Sequence, residues 1–336
     1  MKTAVHIAPR RIGHLNLFVS DLERSMAFYR DVCGFREVFR EPGISMVFMS
    51  NGNTHHDLGL IEIGDGPRVG KEGHVQVRPD AGRKPGLNHV GFEMQSEYAL
   101  VQAYERAREA GMAISRTTDH QIARSLYMKE LNGFVFEFYA DMIEDWSGFY
   151  SGHCGELISG QWIPDRQQSS ATERFPRDPK IESHSPSVLT SRNVAFVCLS
   201  VASLMDSIRF YAEILGLEVT IVDFRSRIGL LEGRARAGCD VLLVEREEVH
   251  TRGGMLFGGI RLAHMPATGE IVESLASGGV RAQCIGTAED ACIAVRDPDG
   301  IGLVLSRFAS REAIVHLTPD VLRALDALSN PATANS

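Results

Sequence analysis

Two stretches of this chain, SDLERSMAFYRDVCGFREV (20–38) and ASLMDSIRFYAEILGLEVT (202–220), superpose without a gap at an offset of 182 residues. Ser25 falls on Ser207, Phe28-Tyr29 on Phe210-Tyr211, and Gly34 on Gly216. Near the end of each half, KELNGFVFEF (129–138) falls on RDPDGIGLVL (296–305) at an offset of 167. An internal duplication on this scale requires two copies of one architecture, and the other features of the chain are read within it.

Within the first copy the pattern runs strand, helix and three strands, twice over. Alternation marks RIGHLNLFV as a strand, and DLERSMAFYRDV follows as a helix with Asp21 as N-cap and Cys33-Gly34 as its end. FREVFRE, SMVFMS and HHDLGLIEI read as the next strands. The second unit has the strand LNHVGFEM, the helix EYALVQAYERAREAG ending at Gly111, and strands around AISRTTD, RSLYMKE and FVFEFYA. The expected fold class is therefore α+β, with tandem βαβββ units in two domains at 11–145 and 191–310. A tail covers 1–10, and a connector rich in Ser, Pro, Arg and Gly covers 146–190, pinned by Trp146, Phe149 and Trp162. A C-terminal helix and tail fill 311–336, with TPDVLRALDALSN as the helical stretch.

Composition narrows the function. A hydrophobic content of 44% with 23% charged residues is that of a soluble globular protein, and 336 residues suffice for two cores. A net charge of −8 argues against a nucleic-acid partner. No apolar run is long enough to span a bilayer, and MKTAVHIAPRR lacks a signal-peptide core, so a cytoplasmic location is expected. Six scattered cysteines without a CxxC pair read as reduced thiols.

Three strands of the first half have one strongly apolar face and an opposite face with one metal-competent side chain. His14 and Asn16 stand opposite Leu15, Leu17 and Val19; His89 opposite Val90 and Phe92; Glu137 opposite Phe136 and Phe138. Two imidazoles and a carboxylate are the ligand set that holds Fe(II) with coordination positions open. Taken singly, a strand histidine is more often solvated or a hydrogen-bonded core group, and a strand glutamate is most simply exposed. The duplication supplies the control: by the same offsets His14 becomes Phe196, Glu137 becomes Val304, and His89 falls near Ile260. The scaffold is repeated and the three candidates are not.

These features resemble the vicinal oxygen chelate superfamily, and the first half resembles its type I extradiol ring-cleaving dioxygenases. The motifs are His14-Leu15-Asn16, His56-Asp57-Leu58-Gly59-Leu60, LNHVGFE around His89, and a tyrosine ten residues before the glutamate, Tyr127 and Glu137. The resemblance covers about 11–145, with 191–310 as a degenerate copy. It implies Fe(II), or Mn(II), held by His14, His89 and Glu137, a small aromatic diol and O2 as substrates, and a homo-oligomer. It also places the histidine before the aspartate, His56, beside the metal without ligating it, and His120 near another pocket position. A His56 pKa near neutrality would suit proton transfer. Tyr127 would hydrogen-bond a substrate oxygen and Asn16 would orient nearby polar groups. If His55 and His56 begin a strand, their side chains oppose, and His55 points away.

Two departures qualify the match. The metal-site pattern lies in the N-terminal half, whereas the familiar two-domain enzymes carry it in the C-terminal half. The DPDG turn is Glu130-Leu131-Asn132-Gly133 before Glu137, yet intact at Asp297-Pro298-Asp299-Gly300. A hydroquinone could replace the catechol. A glyoxalase-like isomerase or lyase would instead need a fourth ligand, for which Glu62 has the spacing: His14 to Glu62 and His89 to Glu137 are both 48 residues. A non-enzymatic binding module would not need the complete triad. Arg83, Lys84, Arg116 and Arg124 could meet a substrate carboxylate, against the plainer reading that they are solvated.

Overall fold

The computed structural model describes residues 6–70, 73–77, 83–246, 254–287 and 289–329. In the first half β1 (Arg11–Val19), α1 (Leu22–Ala27), β2 (Arg36–Arg40), β3 (Met46–Ser50) and β4 (Leu58–Glu62) form one unit. A small hairpin of β5 (Arg68–Val69) and β6 (Val75–Val77) leads to β7 (Gly86–Glu93), α2 (Glu97–Glu109), β8 (Ile114–Asp119), β9 (Ala123–Lys129) and β10 (Val135–Asp141). The eight long strands make one mixed sheet in the order β2-β3-β4-β1-β7-β10-β9-β8. After α3 (Trp146–Gly152), the second half repeats the plan. It comprises β11 (Ser191–Val201), α4 (Leu204–Phe210), β12 (Glu218–Asp223), β13 (Ile228–Glu232), β14 (Val241–Glu245), β15 (Met255–Leu262), α5 (Thr268–Ser277), β16 (Ala282–Ile285), β17 (Cys292–Arg296) and β18 (Gly302–Ser306). Its order, β12-β13-β14-β11-β15-β18-β17-β16, matches the first strand for strand. The tandem α+β architecture read from the repeat is the one the chain adopts.

The repeated residues have local causes. Asp21 caps α1 by accepting the Arg24 N–H at 2.9 Å, and Ser203 caps α4 by accepting that of Asp206 at 3.3 Å. Both helices close in a π-helical turn, Phe28–Val32 and Tyr211–Leu215. The chain then leaves through Gly34 and Gly216 at φ 86° and 74°, where a Cβ would be strained.

The DPDG oddity resolves into a joint between the halves. Asp297 and Asp299 receive hydrogen bonds from the first half's Tyr29 hydroxyl (3.1 Å) and Ser25 hydroxyl (3.3 Å). In the reciprocal position Asn132, of the Glu130–Gly133 turn, donates to the Ser207 hydroxyl at 3.4 Å, and Tyr211 packs edge-on against Phe136. One apolar core runs through both halves, from Leu15 and Phe92 to Val197 and Leu303.

The last helix, α6 (Arg311–Ser329), starts about two turns before the expected Thr318 and runs through Pro319. The burial of Ile314 and Val315 against the second sheet outweighs the hydrogen bond that proline cannot make. α6 thereby covers the face of the second sheet that corresponds to the open face of the first. Among the described residues no helix is long and apolar enough to cross a membrane. None of the six cysteines is in a disulfide.

Asp240 ties the halves together a second time, accepting the Ile12 N–H of β1 and the Gly233 N–H, each at 2.7 Å. Burial pushes its carboxyl up to about 6. A folded-state pKa above the unfolded value means stability is fullest below about pH 4 and is lost as pH rises through about 6. The stability of the wild type relative to Asp240→Asn should therefore fall by about 2–3 kcal/mol between about pH 4 and pH 7. Urea unfolding of both proteins at the two pH values measures it, and a constant difference would refute it.

Candidate metal centre

The register of the central strands brings the three candidates together. β1 pairs with β7 so that His14 lies opposite Gly91 and Asn16 opposite His89; β10 pairs with β7 so that Glu137 lies beside Gly91. His14 Nε2 is 2.9 Å from Glu137 Oε2, His89 Nε2 is 2.8 Å from the same oxygen, and the two imidazole nitrogens are 3.4 Å apart. All three side chains are buried. Gly91 makes the room, because a Cβ there would stand 2.1 Å from the His14 ring. Gly91→Ala should displace that ring and weaken metal binding by at least about tenfold, the scale of a disturbed supporting residue. Metal titration of the two proteins tests this; equal affinity would refute it.

The protonation states suit a cation. Burial pushes His14 down to about 4, so it is neutral at pH 7. Burial alone would raise Glu137, but the His14 and His89 rings against it outweigh that and hold the carboxyl well below its usual range. His89 Nδ1 is bonded to Asn88 Oδ1, so in its neutral form a bare Nε2 faces the ionised Glu137. Two acceptors this close repel unless a cation lies between them. Two imidazoles and one carboxylate fit Fe(II) or Mn(II).

Around the triad, Tyr127 donates to Glu137 Oε1 at 2.7 Å and contacts His120 Nε2 at 3.0 Å. Asn16 Nδ2 donates to His89 Nε2 at 2.8 Å, and Gly59 leaves space for its amide, where a Cβ would be 1.3 Å from Oδ1. The His56 ring lies 4.0 Å from that of His14, and neither of its nitrogens has a hydrogen-bond partner. Asn16, His56, His89, His120, Tyr127 and Glu137 line a cavity of about 900 Å³.

Three sequence expectations need correction. His55 and His56 do not begin a strand: β4 starts at Leu58, and 51–57 is a bend held by Asp57, which accepts from Ser50, Asn51 and Asn53. Both histidines are therefore buried and both line the cavity; His55 does not point away but meets Asp141 Oδ1 at 2.8 Å through Nδ1. Nor is the His56 pKa near neutrality, since burial pushes it well below the usual value. Finally, the counterpart of His89 is Phe257 and not Ile260, because Asn16 pairs with His89 as Cys198 pairs with Phe257. It is apolar all the same.

His55, Tyr139 and Asp141 were missed as neighbours of the site. Alternation along β10 puts Glu137, Tyr139 and Asp141 on one face, which was the available signal. Tyr139 stacks on His14 at 5.1 Å and hydrogen-bonds Thr54 at 3.0 Å. Glu62 lies elsewhere: its carboxylate accepts the Leu22 N–H of α1 at 3.0 Å, as Glu245 accepts that of Leu204 at 2.8 Å.

Residues 11–138, the first domain, match the model of the Glyoxalase/Bleomycin resistance protein/Dioxygenase superfamily. Catechol-2,3-dioxygenase of Bacillus subtilis is 33% identical over 110 residues, 32% of this chain and 34% of the relative. Mitochondrial methylmalonyl-CoA epimerase of Mus musculus is 35% identical over 103 residues, 29% of this chain and 53% of the relative. The chain thus spans only about a third to a half of these two relatives. The 2,3-dioxygenase LapB from Pseudomonas sp. KL28 shares the fold, with a TM-score of 0.62 at 14% identity over 90% of this chain and 93% of that one.

Proposed function

We propose that this protein is an Fe(II)-dependent extradiol dioxygenase that opens a catechol-type ring with O2. The observation that carries the reading is the convergence of His14, His89 and Glu137 on one point beside a neutral, unpartnered His56. Those three residues would hold the iron, with Mn(II) as the variant. The bound metal would supply Lewis acidity toward two diol oxygens and electron exchange with O2.

The chain's own residues prepare the rest. His56, neutral through burial, accepts a proton from a substrate hydroxyl and can return it later in the reaction. Tyr127, fixed by Glu137 and in contact with His120, presents its phenol to a substrate oxygen. Asn88 Oδ1, bonded to His89 Nδ1, holds the orientation of that ring, and Asn16 lies beside its Nε2. Apolar walls from Phe18 and Phe48 seat the ring and exclude water.

The epimerase relative favours a second reading, a metal-dependent isomerase or lyase with Glu62 as fourth ligand. The engagement of Glu62 at the start of α1 weighs against it. The deciding experiment loads the protein with Fe(II) anaerobically, then adds air and a panel of catechols and hydroquinones. Oxygen uptake with a yellow ring-fission product is expected; a loaded protein that consumes no O2 with any diol would overturn the reading.

A further inference from the structure

The cavity is far larger than one catechol ring needs. Its volume of about 900 Å³ is near the top of the roughly 300–1,000 Å³ usual for small-molecule sites. Much of its lining is apolar, including Phe18, Met46, Phe48, Ile61, Val77 and Leu157. Cations also line it: Arg116 and Lys129 from β8 and β9, with Arg83 and Lys84 just before β7. Glu137 and Glu41 are the lining carboxylates; Glu137 belongs to the triad, and Glu41 accepts the Leu157 N–H at 3.1 Å.

Arg116 differs from the other candidate cations. The Arg124 guanidinium is spent on Glu97, and Arg83 and Lys84 are exposed. Arg116 has no ion-pair partner among the described residues, its Nε is buried without an acceptor, and its guanidinium lies over the Tyr127 ring at 3.9 Å from the centroid. Arg116 is half-buried, and a guanidinium drawn partly out of water with no ion partner is tolerated where something else completes it. The repeat shows that the scaffold does not require it. Arg116 pairs with Tyr127 across β8 and β9, whereas the same register across β16 and β17 holds an exposed Gln283 and Ala294, the latter beneath α6.

We propose that the diol taken by this site carries an anionic group, a carboxylate on a hydrophobic body, which Arg116 receives. The proposal rests on the dioxygenase reading and specifies its substrate class. A planar guanidinium matches a carboxylate with two parallel hydrogen bonds. Because only the Tyr127 ring separates Arg116 from the Glu137 hydrogen bond, the anionic group stands about one ring away from the diol. The apolar wall takes the body between them.

The test uses a biphenyl-type 2,3-diol with a carboxylate on the distal ring, and its methyl ester, with the iron-loaded full chain. Affinity is read by anaerobic calorimetry and turnover by oxygen uptake, on wild type, Arg116→Gln and Arg116→Lys matched for iron content. The wild type should prefer the carboxylate by about 10- to 100-fold in both readouts, the value of a charge-assisted hydrogen bond. Arg116→Gln should lose that preference and Arg116→Lys keep part of it. Equal handling of acid and ester by the wild type, or a preference that survives in Arg116→Gln, overturns the proposal and leaves the dioxygenase standing. A calorimetric preference without oxygen uptake removes the dioxygenase and keeps the anion site. No binding of either compound overturns both.

Discussion

His56→Ala is expected to keep its metal and lose ring-cleaving turnover by about 10²–10⁴-fold, the usual contribution of a positioned proton-transfer group. Nothing in the scaffold depends on the imidazole for a hydrogen bond, since both its nitrogens lack partners. It lies between His14, at 4.0 Å, and Phe48, at 4.6 Å, so its truncation opens space without removing any of the three converging donors. Burial keeps it neutral, which makes its first act the acceptance of a proton. Glu62→Gln is the companion variant. It should retain both iron and oxygen uptake, because Glu62 supports the N-terminus of α1. Iron content and oxygen uptake measured side by side decide the matter. Metal loss in Glu62→Gln would move the site to the four-ligand isomerase.

Asp297→Ala should lower the unfolding free energy by about 3–5 kcal/mol, while the folded protein binds iron as before. The carboxylate accepts the Asp299 N–H at 2.9 Å, the Ile301 N–H at 2.8 Å and the Tyr29 hydroxyl at 3.1 Å. Truncation leaves three donors without an acceptor around a buried carboxylate, at roughly 1–3 kcal/mol each before relaxation. Tyr29→Phe removes only one of these bonds and should cost about 1 kcal/mol. Denaturant unfolding measures both variants. A loss below about 1 kcal/mol for Asp297→Ala would mean that the turn is not a structural joint.

The triad was legible because strand alternation alone selects His14, His89 and Glu137 against their apolar neighbours. The doubled architecture was legible because Ser25, Tyr29 and Gly34 recur as Ser207, Tyr211 and Gly216 at the same places in the two helices and the turns that end them. What escaped depends on three-dimensional surroundings. The alternation argument failed at His55 because Asp57 draws 51–57 into a bend, and a bend has no period. The lowered pKa of His56 comes from burial, which no spacing expresses. Among Arg83, Lys84, Arg116 and Arg124, sequence offered no way to tell a paired guanidinium from an unpaired one. The 48-residue spacing of Glu62 was genuine, yet it marks a helix cap repeated at Glu245.

The crossed contacts of Tyr29 and Ser25 with one turn, and of Ser207 with the other, have the form of an isologous dimer interface carried within a single chain. In a true homodimer any change to one active cleft is imposed on both. Covalent fusion lifts that restriction while leaving the mating surfaces self-complementary. One cleft could then surrender its histidines and accept α6 as a permanent plug, and the other could diversify its walls without a matching burden on its twin. The same logic fixes stoichiometry: a chain cut within the 146–190 connector should give two fragments that reassociate one to one.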